Sequence, residues 1–212
     1  MDHKIQTIQE ETANAITHGI GFLLSLTLVP MLIAKATVKD TLLITIASVI
    51  FSFGILMSYL SSTIYHLVQN QQVKKQLRIW DHISIFFLIG GTYTPVICKY
   101  TSSGTAVLFL SFMWGLIIAG SLLKVFFTGK HDRLSTGIYL MLGWMAVLVI
   151  KPLMAIMPLE VFIWILAGGL SYTFGVIFYR WRNLNFQHSI WHLFVLAGTF
   201  LHFIGVYKCI GR

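Results

Sequence analysis

Seven predominantly apolar stretches, at about 13–34, 41–67, 79–97, 106–127, 135–150, 159–179 and 187–207, take up most of the chain. The hydrocarbon of a bilayer is about 30 Å thick, and a helix needs about 20 apolar residues to cross it. Hydrocarbon offers backbone N–H and C=O groups no partner, so a single crossing segment must satisfy them internally as a helix. The pattern therefore predicts an all-α, polytopic membrane protein: one domain over residues 1–212, folded as a seven-transmembrane helix bundle. Only 10% of the residues are charged and 57% are hydrophobic, whereas a soluble domain carries about a quarter charged residues. A short amphipathic piece around Ile5 and Ile8 precedes the first span. The opening residues hold Asp2, Glu10 and Glu11 instead of a basic region followed by an apolar core, so no secretory signal is expected.

The formal charge is +8. Its basic residues are scattered singly and in pairs between apolar runs, with no continuous stripe, which argues against a nucleic-acid partner. In a membrane protein such charges set orientation and touch anionic lipid. With seven spans, the loops on the N-terminal side hold Lys74, Lys75, Arg78, Lys124, Lys130, Arg133, Arg180 and Arg182, and the opposite loops hold Lys35, Lys39, Lys99 and Lys151. This bias predicts a cytoplasmic N-terminus and an external C-terminus. Lys151-Pro152 and Pro158 are expected to bracket the turn into the sixth span. Cys98 and Cys209 cannot make a disulfide framework; both fall near the predicted outer face, and two unpaired thiols are expected.

With that topology, polar residues far apart in sequence share one depth. His18 and His66 lie at the cytoplasmic ends of the first two helices, Asp81 and His82 open the third, and His188 and His192 open the seventh. Ionisable groups at membrane depth are costly and mark sites. The four-residue spacing puts His188 and His192 on one helix face. Such a pair alone is equally compatible with interhelical hydrogen bonds; His66 and Asp81 at matched depth favour a metal. Three neutral imidazoles suit Zn²⁺, with the fourth position left to water or to Asp81. The expected ligands are His66, His188 and His192. Asp81 would orient or deprotonate a water, and Ser62, one turn before His66, would hold substrate or hydrogen-bond the water or Asp81.

The other polar residues have plainer readings. His18 is expected to brace the site as an outer-shell donor. Glu11, Asn14 and His18 share one helix side, either as a helix-start network or as a brace at the mouth. His82, adjacent to Asp81, is expected to point to another face and be structural. His202 lies about 15 Å beyond His192 along its helix, so packing is its expected role. His131 is expected to be solvated in a loop. Gly90-Gly91 and Gly168-Gly169 would allow close helix contact, and Pro95 could kink its helix.

Taken together, Glu11-x-x-Asn14-x-x-Thr17-His18-x-x-Gly21, Ser62-x-x-x-His66, Asp81 with Gly90 downstream, and His188-x-x-x-His192 followed by His202-Phe203 resemble the motif set of the hemolysin III proteins. These form the bacterial branch of the progestin and adipoQ receptor (PAQR) superfamily, distantly related to the alkaline ceramidases. The resemblance implies a seven-helix fold in the plasma or inner membrane, with a zinc ion near the cytoplasmic side. His66, His188 and His192 match the family's zinc ligands, and Asp81 and Ser62 its acid and serine. The short N-terminus departs from the receptor branch and argues against a hormone-receptor role. Two functions follow as expectations. One is a zinc-dependent hydrolase of lipid amide or ester bonds, ceramidase-like and acting in membrane lipid homeostasis, with membrane lipids as its partners. The other is a non-enzymatic pore-forming, haemolytic or membrane-sensing protein whose zinc is structural.

Overall fold

The computed structural model describes residues 6–128 and 132–211, and the described residues form helices and short connections with no strand. His131 lies outside the described residues. The helices are α1 (Ile8–Lys39), α2 (Leu42–Leu67), α3 (Gln71–Tyr100), α4 (Ser103–Phe127), α5 (Asp132–Gly143), α6 (Ile150–Ile156), α7 (Leu159–Arg180) and α8 (Gln187–Cys209), with a 3₁₀ segment at Met145–Val149. Among the described residues, seven segments are long and apolar enough to cross a membrane, the fifth being Arg133–Ile156. The expected multi-pass, seven-helix membrane bundle is borne out.

Polar residues at the joints set where the helices begin. Thr7, Thr41, Asn70 and Ser102 each accept a backbone N–H in the first turn of α1, α2, α3 and α4, satisfying donors that have no partner inside the helix. Thr7 and Glu10 complete a reciprocal capping box. The third helix starts well before its apolar span, so Lys74, Lys75 and Arg78 ride on its first turns instead of lying in a loop.

α3 is the central element, touching α2, α4, α5, α6 and α8. It approaches α2 so closely that a Cβ on Gly54 would lie 2.7 Å from the Phe87 carbonyl oxygen, and one on Gly91 would lie 3.0 Å from Phe51 Cα. Gly168 makes room in the same way for the His202 ring, whereas Gly169 faces open space. Pro95 sits within an unbroken α3. Large apolar side chains such as Leu23, Leu108, Phe112, Phe126 and Phe174 face outward, a patch of a size that water does not tolerate but lipid does.

The fifth crossing departs from expectation. It is broken after Gly143, and Tyr93 of α3 repairs the break: its hydroxyl donates to the Gly143 carbonyl at 2.6 Å and accepts the Ala146 N–H at 3.0 Å. A backbone gap inside a bilayer is tolerated when protein groups satisfy it in this way. The helix then runs on through Lys151 and Pro152 to Ile156, so the turn falls at Met157–Pro158 and not at Lys151-Pro152. Pro152 is accommodated because it lies in the first turn, where its missing N–H has no helical acceptor. At the end of the bundle away from the histidines, the Asp40 carboxylate accepts from Lys99 Nζ (2.6 Å) and from the Gly211 N–H (2.9 Å), tying α1, α3 and the end of α8 together. Cys98 and Cys209 are both free thiols.

Candidate metal centre

Two helices deliver three imidazoles to one point and a third helix orients them. His66 is at the C-terminal end of α2, and His188 and His192 open α8. One ring nitrogen from each lies within 4.8 Å of the other two, and the ring centroids are 4.5–5.3 Å apart. His66 and His192 are buried and His188 is half-buried.

The first turns of α1 decide which nitrogens remain available. Glu11 Oε2 accepts from Nδ1 of His66 at 2.6 Å, and Glu11 Oε1 is held by Lys74 Nζ at 2.8 Å. On His192, Nδ1 lies 3.0 Å from Thr17 Oγ1 and 3.2 Å from the Asn14 carbonyl oxygen. The Thr17 hydroxyl proton is directed at the Ala13 and Asn14 carbonyls, so toward His192 it accepts. Both rings therefore carry their proton on Nδ1 and keep the lone pair on Nε2. Nε2 of His66 is buried without a hydrogen-bond partner, a state that costs about 1–3 kcal/mol when nothing compensates it. A cation shared by three imidazoles compensates it, and a nitrogen set of this kind suits Zn²⁺. The residues present fit that ion.

Local backbone geometry seats α8 against α1. Phe186, just before α8, has φ 54°, a left-handed conformation that costs a non-glycine residue about 1–2 kcal/mol. Its N–H donates to Glu10 Oε1 at 3.1 Å. Three residues on, Ser189 Oγ donates to Asn14 Oδ1 at 2.6 Å. Strain held by neighbouring hydrogen bonds is typical of functional sites. Glu10 and Ser189 went unassigned on sequence. The capping-box spacing of Thr7 and Glu10 was a legible signal for the first, and nothing in the sequence marked the second.

The remaining expected residues gather around the cluster in different ways. His18 stacks on His192, with centroids 3.5 Å apart and planes at 14°. Neither of its ring nitrogens has a hydrogen-bond partner, so it braces the site as a flat surface and not as a donor. Ser62 and Asp81 line the same cavity as His18, His188 and His192. Ser62 Oγ is buried, with the Asp81 carboxylate as its neighbour. The Asp81 carboxylate lies outside the set of ligand atoms that come within 4.8 Å, and its electrostatic partners include His66, Arg78 and Lys124. His82 differs from expectation: it borders the same cavity as Asp81, and Lys124, a buried lysine of α4, donates to its Nδ1 at 3.0 Å. His202 is deeper, its Nε2 2.9 Å from the Ile165 carbonyl oxygen, and takes no part in the three-nitrogen set.

Comparison with known proteins identifies the family of the chain. A family profile described as "Haemolysin-III related" matches residues 6–203. The "Hemolysin-3" of Bacillus cereus is 38% identical over 206 residues, covering 97% of this chain and 94% of that protein. The "Hemolysin-3 homolog" of Bacillus subtilis (strain 168) is 40% identical over 193 residues, 91% of each chain. The "Monocyte to macrophage differentiation factor" of Homo sapiens is 26% identical over 215 residues, 97% of this chain and 87% of that protein. No solved structure matches the chain.

Proposed function

The chain belongs to the haemolysin-III-related family, and we propose that it is a zinc-dependent hydrolase of lipid amide or ester bonds, acting in membrane lipid homeostasis. The observation that carries the reading is the convergence of His66, His188 and His192, the last two of which line a cavity of about 140 Å³ inside the bundle. Zinc bound there would polarise a carbonyl and make hydroxide available near neutral pH. The chain's own residues do the rest. Glu11, Thr17 and Asn14 hold two imidazoles in one tautomer. Ser62 Oγ, buried beside Asp81, is available to hydrogen-bond the polar linkage of a lipid, and His18 braces His192 by stacking on it. Asp81, on the same wall, takes a proton from the attacking water and returns it to the leaving group. The apolar lining accepts acyl chain and keeps bulk water out. In this reading the N-terminal end of the bundle, with the histidines, faces the cytoplasm in the plasma or inner membrane, as the distribution of basic residues favours.

Fatty-acid release from a panel of lipids by purified protein, with and without chelator, tests the proposal. Release that stops with chelator and returns with zinc is expected; release indifferent to chelator, or none across a broad panel, rejects it. The names of the two Bacillus relatives favour a second reading, membrane lysis with a purely structural zinc. Lysis of red cells that survives His192→Ala at unchanged expression, with no hydrolysis by either protein, would select that one.

A further inference from the structure

The inner cavity bordered by His188 and His192 runs well past them. His202 borders it too, ten residues beyond His192 on α8 and so about 15 Å away. That is more than an octanoyl chain can span and within the reach of a palmitoyl chain. About 140 Å³ of room for the centres of water molecules, drawn out over that length, leaves the width of a single hydrocarbon chain. The donors around the far end are already spent. Thr92, Tyr93 and Thr173 direct their hydroxyl protons at the carbonyls of Leu88, Gly143 and Gly169. The Trp144 N–H donates to Thr173, and the His202 Nε2–H to the Ile165 carbonyl. A polar tail would lose its hydration there for little return, whereas hydrocarbon loses nothing.

One position on the wall of that end is bare. The α7 residues that border the cavity are Gly169, Tyr172, Thr173, Val176 and Tyr179, spaced so that they share one face of the helix. Four of the five carry large or branched side chains. Gly169 carries none, and a Cβ built there meets nothing within 4 Å. Its neighbour Gly168 is different in kind, because a Cβ there would run into the His202 ring. Packing explains Gly168 and leaves Gly169 unexplained. A glycine inside a helix is destabilising relative to alanine, and at Gly169 no close approach of another helix offsets that. We propose that the far end of the inner cavity seats the outer half of a long acyl chain, and that Gly169 is the position that sets chain length. Without a side chain there the cavity takes a palmitoyl-length chain; with a large one it takes only a short chain. The inference rests on the hydrolase reading for the linkage that meets the histidines, but the chain-length preference is itself a binding property.

The test uses full-length protein in neutral detergent and two tritiated probes, heptyl methyl ketone and pentadecyl methyl ketone, read as label held by captured protein. These are the carbonyl analogues of the octanoyl and palmitoyl groups, and they contain no bond to hydrolyse. Comparing variants probe by probe cancels each ketone's partition into detergent. Gly169→Leu is expected to weaken the pentadecyl ketone about tenfold or more, the usual order of an overpacking cost, and to leave the heptyl ketone nearly unchanged. Gly169→Ala should shift the preference the same way by less. Leu170→Phe, the next residue on α7 but exposed and off the cavity, should shift neither. Equal weakening of the two ketones by both Gly169 variants, undiminished binding of the pentadecyl ketone by Gly169→Leu, or the same selective loss in Leu170→Phe would each overturn the proposal. Zinc content and fatty-acid release on the same preparations keep the two readings apart. A protein lacking both, whose pentadecyl binding still falls selectively in Gly169→Leu, loses the hydrolase reading and keeps this one; an active zinc protein without that fall does the reverse.

Discussion

Oε2 of Glu11 lies 2.6 Å from Nδ1 of His66, joining the first turn of α1 to the last turn of α2. A carboxylate behind a metal-facing imidazole fixes its tautomer and raises its basicity, and losing such a partner typically costs about 10–100-fold in metal affinity. Glu11→Ala should therefore weaken zinc retention by about that factor while the helical content stays unchanged. Competition against a chromophoric chelator measures it, and wild-type affinity in the variant would show that the pair is only structural.

Metal removal should be visible as stability. A ligand that binds only the folded state adds about 2.7 kcal/mol when present at 100 times its Kd. Chelator should lower the melting temperature of the wild type and leave His192→Ala unmoved, since that variant lacks one of the three imidazoles. Equal shifts in both proteins would place the metal elsewhere.

Asp81 should separate binding from turnover. Its carboxylate lies outside the three-nitrogen set, so Asp81→Asn is expected to keep its zinc, as measured by elemental analysis. The rate of fatty-acid release should fall about 10²–10⁴-fold, the usual contribution of a positioned general base. Loss of zinc together with activity would make Asp81 a ligand instead.

Packing between α2 and α3 gives a test independent of chemistry. A side chain on Gly54 meets backbone, the Phe87 carbonyl oxygen and Leu88 Cα, so it cannot be relieved by a rotamer change. Gly54→Val should destabilise by about 1–3 kcal/mol, the usual cost of overpacking. Gly169→Ala, where nothing lies within 4 Å, should cost far less in the same thermal melts.

Asp40 should make the far end of the bundle acid-sensitive. Burial alone would raise its pKa, but the Gly211 N–H, the Lys99 ammonium and the Thr41 N–H outweigh it and hold the carboxyl below its ordinary 3.8. A carboxyl depressed in the folded state contributes stability that is fully present above its unfolded value and is lost as pH falls through its folded value. The contribution should therefore be constant from neutral pH down to about pH 4 and decline below that. Melts of wild type and Asp40→Asn should differ at pH 6 and converge under stronger acid; a constant difference at every pH would rule the pairing out.

The number of crossings, their helical nature and the shared depth of His66, Asp81, His188 and His192 were legible in the chain alone. A bilayer sorts residues by depth along one axis, and hydropathy summed over about 20 residues reports that axis. The spacing of His188 and His192 is likewise local, a consequence of the helical repeat. The rotation of each helix about its axis was not legible, because lipid-facing and core-facing side chains are equally apolar. Only the tertiary structure brought Glu11 to His66 across two helices, turned His18 into a stacking surface, set Tyr93 in the break after Gly143, and placed His188 and His192 on the wall of an inner cavity.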